Sequence, residues 1–589
     1  MKSIKFLLGA FCAIGMIACS NSDDVDDGGG TTPDGTSQNL YLSVNVMAAN
    51  EGTRATMNGD PNDAQYEKGE GDENKIENAI FYFFNEEGNP ANVVKDATTG
   101  ENVNYKKSLT IDAGSEIPNV EKILESTVVI NTTNEELIPV KIVAILNLNI
   151  DDHKSKSLDD LSKIVKDYRL DETDNLFVMS SSVYSSKNGV KMMAVDGIKE
   201  AFKPTEAEAK DNPVDIYVER VLAKVSVGVD IQKSNDKENI TLENGETLYY
   251  TGNYTGTEFE DDGASSVENC DVYVKFLGWN IATETTSSYL FKNINPAWKD
   301  NDLGIINWTW PNYYRSFWAM NPAEAGTGHA NHSLEDASFK VGSVDESGNV
   351  VYGTGDNINY TYVQENASPF NAEGTATALT NRVNETEILV AGQLVKSDGT
   401  PFQFAEWKGL RSDTIGVFKA MANYLSIFYK DPENENRRLK IDSDMMQFVT
   451  EGNDTYVQLK ESAKSYTFYL SKNAEESATI DKVNSQLKAE IGKVKVWKEG
   501  LTYYNARIRH LGKITPATED TEEEVSVGAY GVVRNHSYQV VISGVKGFGT
   551  PVYDPDEVII PEQPEEESYL AARIKVLSWR VVKSTVDLK

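Results

Sequence analysis

Leu40-Tyr41-Leu42-Ser43-Val44-Asn45-Val46 alternates apolar and polar residues with a period of two, the pattern of a half-buried strand. The same period returns along the chain. Val221, Ala223, Val225, Val227 and Val229 alternate strictly just after the polar stretch Lys203 to Asn212, which places a domain boundary near residue 220. Ile80-Phe81-Tyr82-Phe83-Phe84 is a strand ending in the turn Asn85 to Pro90, and Lys141 to Leu146 is a continuous apolar run suited to a strand buried on both faces. One helix stands out: Ser157 with Asp160 makes a capping-box start, and Leu158, Leu161, Ile164, Val165 and Tyr168 fall on one face to cover a sheet. The chain reads as mostly β.

The chain has 589 residues, 40% of them hydrophobic and 10% aromatic, enough to bury more than one core. With 56 Lys+Arg against 91 Asp+Glu the formal charge is −35, which repels nucleic acid and anionic membrane surfaces. The start is a lipoprotein signal. Lys2 and Lys5 precede an apolar run of about 13 residues, too short for a span of about 20, and Met16-Ile17-Ala18-Cys19-Ser20 places a cysteine at the cut. Cys19 is therefore the expected lipidation site, at the outer membrane, and Ser20 to Gly30 a flexible tether. With Cys12 leaving in the signal and Cys19 acylated, Cys270 has no cysteine to bridge to, so disulfides do not hold the fold.

No catalytic pattern is visible: no Gly-x-Ser-x-Gly elbow, no phosphate loop, no His-Glu-x-x-His. His329 and His332 lack an acidic or cysteine partner at a metal-site spacing, and Asp23, Asp24, Asp26 and Asp27 lack the full calcium-loop pattern. No cofactor is implied and an enzyme is not expected. Trp279, Trp298, Trp308, Trp310 and Trp318, with Tyr313, Tyr314 and Phe317, read as sandwich core; the alternative is a stacking platform for glycans.

The C-terminal portion resembles a family. Gly500-Leu501-Thr502-Tyr503-Tyr504, Arg507-Ile508-Arg509-His510, Tyr530-Gly531-Val532-Val533-Arg534-Asn535-His536-Ser537-Tyr538 and Gly547-Phe548-Gly549-Thr550-Pro551 are similar to the fimbrillins of Bacteroidales, specifically minor-fimbria shaft subunits. Val532 to Ile542 reads as a strand and Gly544 to Pro551 as its turn-rich exit; Pro551, Pro555, Pro561 and Pro564 with Glu562 and Glu565 to Glu567 form an extended acidic linker. Tyr569 to Leu588 is again β, with Leu570, Ala572, Ile574 and Val576 in one phase and Leu577, Trp579 and Val581 in the other, suggesting a bulge or a change of partner face.

The resemblance implies two transthyretin-like β-sandwich domains and polymerisation by strand exchange. It divides the chain into a signal peptide (1–18), a tether and propeptide (19–38), an N-terminal domain (39–220), a C-terminal domain (221–550), a linker (551–568) and a donor-strand tail (569–589). Residues 39–54 form the removable first strand, because Arg54-Ala55 matches the family's processing position and lies in a Gly- and Asn-rich loop. Burying Leu40, Leu42, Val44 and Val46 stabilises by roughly 1.5 to 3 kcal/mol each, so loss of the strand opens a groove that invites a replacement. Ile574, Val576, Leu577, Trp579 and Val581 of the tail would fill it. The implied role is a fimbrial shaft subunit supporting adhesion, with identical subunits, anchor and tip subunits and a processing protease as partners. The alternatives are a glycan-binding surface lipoprotein and a tip or anchor subunit.

Overall fold

A computed structural model describes residues 38–48, 71–108, 121–132, 135–148, 156–170, 176–181, 184–185, 191–192, 194–234, 237–259, 265–293, 329–330, 332–367, 386–452, 454–510, 514–515, 524–525, 530–556, 569–577 and 584–585. Its architecture is mostly β, in open sheets. The first sheet is built from β1 (Gln38–Ala48), β2 (Ala79–Phe84), β3 (Tyr105–Ser108), β4 (Glu121–Thr132), β5 (Lys141–Leu146), β6 (Met179–Ser181) and β7 (Val214–Arg220). Its spatial order is β3-β2-β5-β6-β7-β1-β4. As its continuous apolar run predicts, β5 has Ile142 to Leu146 fully buried, and β2 beside it buries every residue. Together with Leu42, Val128, Ile130, Ile216 and Val218 they form the first core.

After Arg220 only Val221 intervenes before β8 (Leu222–Val229) opens the second region. There β8 pairs in parallel with β14 (Ser537–Lys546) and antiparallel with β11 (Tyr360–Gln364). The facing sheet runs from β9 (Thr247–Phe259) through β10 (Ser265–Ala282) and β12 (Glu387–Val395) to β13 (Leu501–Arg507). Between them lies a second core holding Val225, Val227, Val274, Trp279, Val390, Tyr504, Tyr538 and Val540. Trp279 is fully buried and packs on Phe339 at 5.1 Å, the core role expected of it. The other tryptophans and aromatics of that cluster lie outside the described residues.

Two expectations are corrected. The helix that starts at Ser157 keeps its capping box but lasts only from Leu158 to Ser162. Val165-Lys166 leaves it to pair with Ser288-Tyr289, because β-branched Ile164 and Val165 suit a ladder and the ladder supplies the hydrogen bonds. Val532 to Ile542 is not one strand. Gly531-Val532 pairs with Asn366-Ala367, and Asn535 at φ +56° turns the chain before β14 begins. Within the β-rich second region, residues between Ala405 and Val496 also enclose a third core around the helices Thr414–Tyr424 and Ile480–Ile491. In the latter, Val483, Leu487 and Ile491 face inward at a spacing of four, between a Thr479 N-cap and Gly492 at φ +73°.

Candidate assembly site

The first strand occupies an interior place in its sheet. It runs parallel to β7 (Val44 beside Val214 through Ala48 beside Val218) and antiparallel to β4 along its whole length (Gln38 beside Thr132 to Ala48 beside Glu121), with a bulge between Val46 and Met47. Tyr41 also exchanges both backbone hydrogen bonds with Lys203, at 2.7 and 2.8 Å. Leu42 is fully buried in the first core and Leu40 packs against it. Ser43 is equally buried, and its hydroxyl has no hydrogen-bond partner among the described residues. Were β1 to leave, β7 and β4 would each present an unpaired edge with an apolar floor between them.

The tail strand β15 (Tyr569–Leu577) pairs antiparallel with β14 of its own chain, Leu577 opposite Ser537 to Tyr569 opposite Lys546. Ile574 stands opposite Val540 and Val576 opposite Tyr538; Ser584-Thr585 pairs on the other flank of β15. The irregularity in this ladder sits on β14, between Ile542 and Gly544. Of the expected linker, Pro551 to Asp556 are described and do not stand clear of the fold. Val552 is buried and its N–H donates to Leu501 O at 3.1 Å. Cys19, Arg54, Ala55, Trp579 and Val581 lie outside the described residues.

The motif Arg534 to Tyr538 builds the junction between the first two cores. Arg534 is fully buried; its Nε donates to Glu365 Oε2 at 2.6 Å, Nη1 to Leu290 O at 2.8 Å and Nη2 to Tyr289 O at 2.7 Å. Leu290 and Phe291 insert into the first core, so one guanidinium ties the loop that plugs that core to the second region. Asn535 accepts from Arg220 Nη1 at 3.1 Å, while Arg220 Nε donates to Glu73 O at 2.8 Å. The Glu73 carboxylate accepts from Lys224 Nζ at 3.0 Å and from Tyr362 Oη, and the Lys224 ammonium lies over the Tyr352 and Tyr360 rings at 3.9 and 4.5 Å. Lys292 and Glu219 form another fully buried pair at 3.1 Å, and burial holds the Lys292 ammonium below its ordinary pKa against the opposing pull of Glu219 and Glu365. Tyr538 Oη bonds His510 Nδ1 at 2.8 Å and accepts from Val533 N–H at 2.8 Å. Sequence reasoning quoted Arg534 and Tyr538 but missed Glu73, Arg220, Lys224, Lys292 and Glu365.

Chemistry elsewhere is sparse. His332 Nδ1 approaches Asp336 Oδ2 only to 3.8 Å, and His329 sits in a short strand opposite Thr285. Among the described residues no cluster of three or more His, Cys, Asp or Glu is arranged to hold a metal, and no helix is long and apolar enough to cross a membrane.

Residues 495–585 match the family described as major fimbrial subunit protein type IV, fimbrillin, C-terminal. The matched segment contains β13, β14, the Arg534 turn and the tail strand. No curated protein matches the chain by sequence. Among solved structures, a fimbrilin from Porphyromonas gingivalis is similar at 15% identity, over 92% of this chain and 98% of that one, with a TM-score of 0.35. The tip fimbrial protein Mfa3 of the same organism is similar at 11% identity over 92% of this chain and 100% of that one, TM-score 0.28. A fimbrial assembly protein from Parabacteroides distasonis gives 12% identity over 64% and 93%, TM-score 0.26. Residues 495–585 thus resemble the C-terminal region of the fimbrillins.

Proposed function

We propose that the chain is a structural, non-enzymatic subunit of a cell-surface fimbria that supports adhesion. It is exported as a lipoprotein acylated at Cys19, which holds the precursor at the outer membrane. A protease cuts between Arg54 and Ala55, β1 leaves, and the tail of a neighbouring copy takes its place. Repetition gives a head-to-tail contact that propagates into a filament, because each copy offers one groove and one tail. Other subunits of the same fimbria, an anchor and a tip, would end the polymer.

The observation that supports this best is the interior position of β1. An edge strand, once lost, exposes a single row of backbone groups. A strand flanked by β7 and β4 leaves two rows and an apolar floor, which one incoming strand satisfies together. The fimbrillin C-terminal match over 495–585 adds the family context. The test is the N-terminus of subunits recovered from filaments. It should be Ala55, and Arg54→Ala should stop both maturation and growth; assembled subunits that retain Cys19 to Arg54 would refute the reading.

A further inference from the structure

Tyr41-Leu42-Ser43-Val44-Asn45-Val46 in β1 and Tyr569-Leu570-Ala571-Ala572-Arg573-Ile574 in the tail share a residue-by-residue pattern: Tyr-Leu, a small residue, an aliphatic one, a polar one, an aliphatic one. We infer that the tail of a second copy enters the place of β1 in that register and direction, with Tyr569 at the Tyr41 position and Arg573 at the Asn45 position. The inference rests on the strand-exchange reading above and specifies which residue meets which.

Three positions favour it. Leu570 takes the fully buried Leu42 position opposite Val128, and Ile574 takes the Val46 position between Leu124 and Ile216. Ala571 takes the place of Ser43, whose buried hydroxyl has no hydrogen-bond partner among the described residues, so the incoming strand removes an unsatisfied polar group that β1 carries. Arg573 takes the Asn45 position, whose cross-strand neighbours are Glu125 on β4 and Asp215 on β7. In its own chain Arg573 stands opposite Val541 and Thr585, with no acidic residue at either register position. Directly opposed residues share a face of the sheet, so the exchange moves Arg573 from a register position with no acidic neighbour to one flanked by acidic residues on both sides.

Neighbouring registers are worse. A shift of two residues one way sets Arg573 on the buried Ser43 position; a shift of two the other way sets Ser568 on the buried Leu42 position. The one unfavourable pairing in the chosen register is Lys575 opposite Lys122, and it falls beside the bulge after Val46, where the ladder is already open.

Cysteine pairs in the chain carrying Cys270→Ser and cut after Arg54 read the register. Ala571→Cys on one population and Thr127→Cys on another should form an intersubunit disulfide, because Ser43 is opposite Thr127. Arg573→Cys with Thr127→Cys should not. Cross-linking of the second pair and not the first would overturn the register while leaving strand exchange standing. Filaments that grow with neither pair cross-linking, and with the tail trapped on its own β14 by Ala571→Cys with Gly544→Cys, would overturn the exchange itself. Independently of disulfide geometry, Arg573→Glu should slow elongation at least tenfold, and Glu125→Lys with Asp215→Lys should restore it; no restoration would contradict the charge pairing.

Discussion

Replacing Arg534 by alanine tests the junction, because the structure concentrates unusually many obligations on that one side chain. Arg534 and Glu365 are each 1% exposed, and the guanidinium also satisfies the carbonyls of Tyr289 and Leu290. Truncation leaves a buried carboxylate without its counter-ion and two carbonyls without donors, and breaking a buried pair from one side costs about 3–5 kcal/mol. Arg534→Lys keeps the charge but cannot hold three acceptors in a planar fork, so it should still lose about 2 kcal/mol. Arg534→Met with Glu365→Gln removes both charges and should be at least about 1 kcal/mol more stable than Arg534→Met alone, a coupling that a purely local packing defect would not show. Urea unfolding of the mature chain, followed by tryptophan fluorescence, reads these differences as shifts in midpoint. A loss below about 1 kcal/mol for Arg534→Ala, or a double variant no more stable than Arg534→Met alone, would show that the ion pair does not hold the two cores together.

Other outcomes follow from named contacts. Burial lifts the Glu284 carboxyl to about 7, against the opposing Arg169. Its folded pKa lies above its unfolded one, so the penalty is absent below pH about 4.5, grows as pH rises towards 7 and is complete above it. Glu284→Gln should therefore stabilise at pH 8 by up to about 3 kcal/mol and do nothing at pH 4, measured by unfolding at both pH values. Leu42→Ala removes a fully buried side chain from β1 and should cost about 2–5 kcal/mol before processing; after cleavage it should speed the release of β1, seen as faster filament growth. Gly500 has φ +76° and a Cβ there would lie 2.3 Å from Leu394 O, so Gly500→Ala should lower the melting temperature, whereas Gly409→Ala, with nothing within 4 Å, should cost only the strain of its φ.

The strands that build the site were legible because period two or an unbroken apolar run leaves few options: β1, β2 and β5 fall where the pattern puts them. The short helix after Ser157 was over-extended because a capping box marks a start and carries no information on length; pairing with Ser288-Tyr289 ended it. The helices of the third core were missed although Asp413, Thr479 and Gly492 cap them, since their apolar positions sit among strands of similar composition. Least legible was the junction. Lys224 lies in an alternating strand where its phase suggests solvent, yet it is 5% exposed, because Tyr352, Tyr360, Tyr362 and Glu73 cover that face from 128 to 151 residues away in sequence. Arg534 finds Glu365 across 169 residues. Such partners carry no local signal; only the topology, with β8 parallel to β14, brings them together.

The most direct measurement is a density map of the assembled filament at a resolution that traces side chains. The account predicts that the strand between β7 and β4 of each subunit is Tyr569–Leu577 of its neighbour, in the direction β1 once ran. A filament in which that place is still held by the subunit's own Gln38–Ala48, with each tail on its own β14, would contradict it.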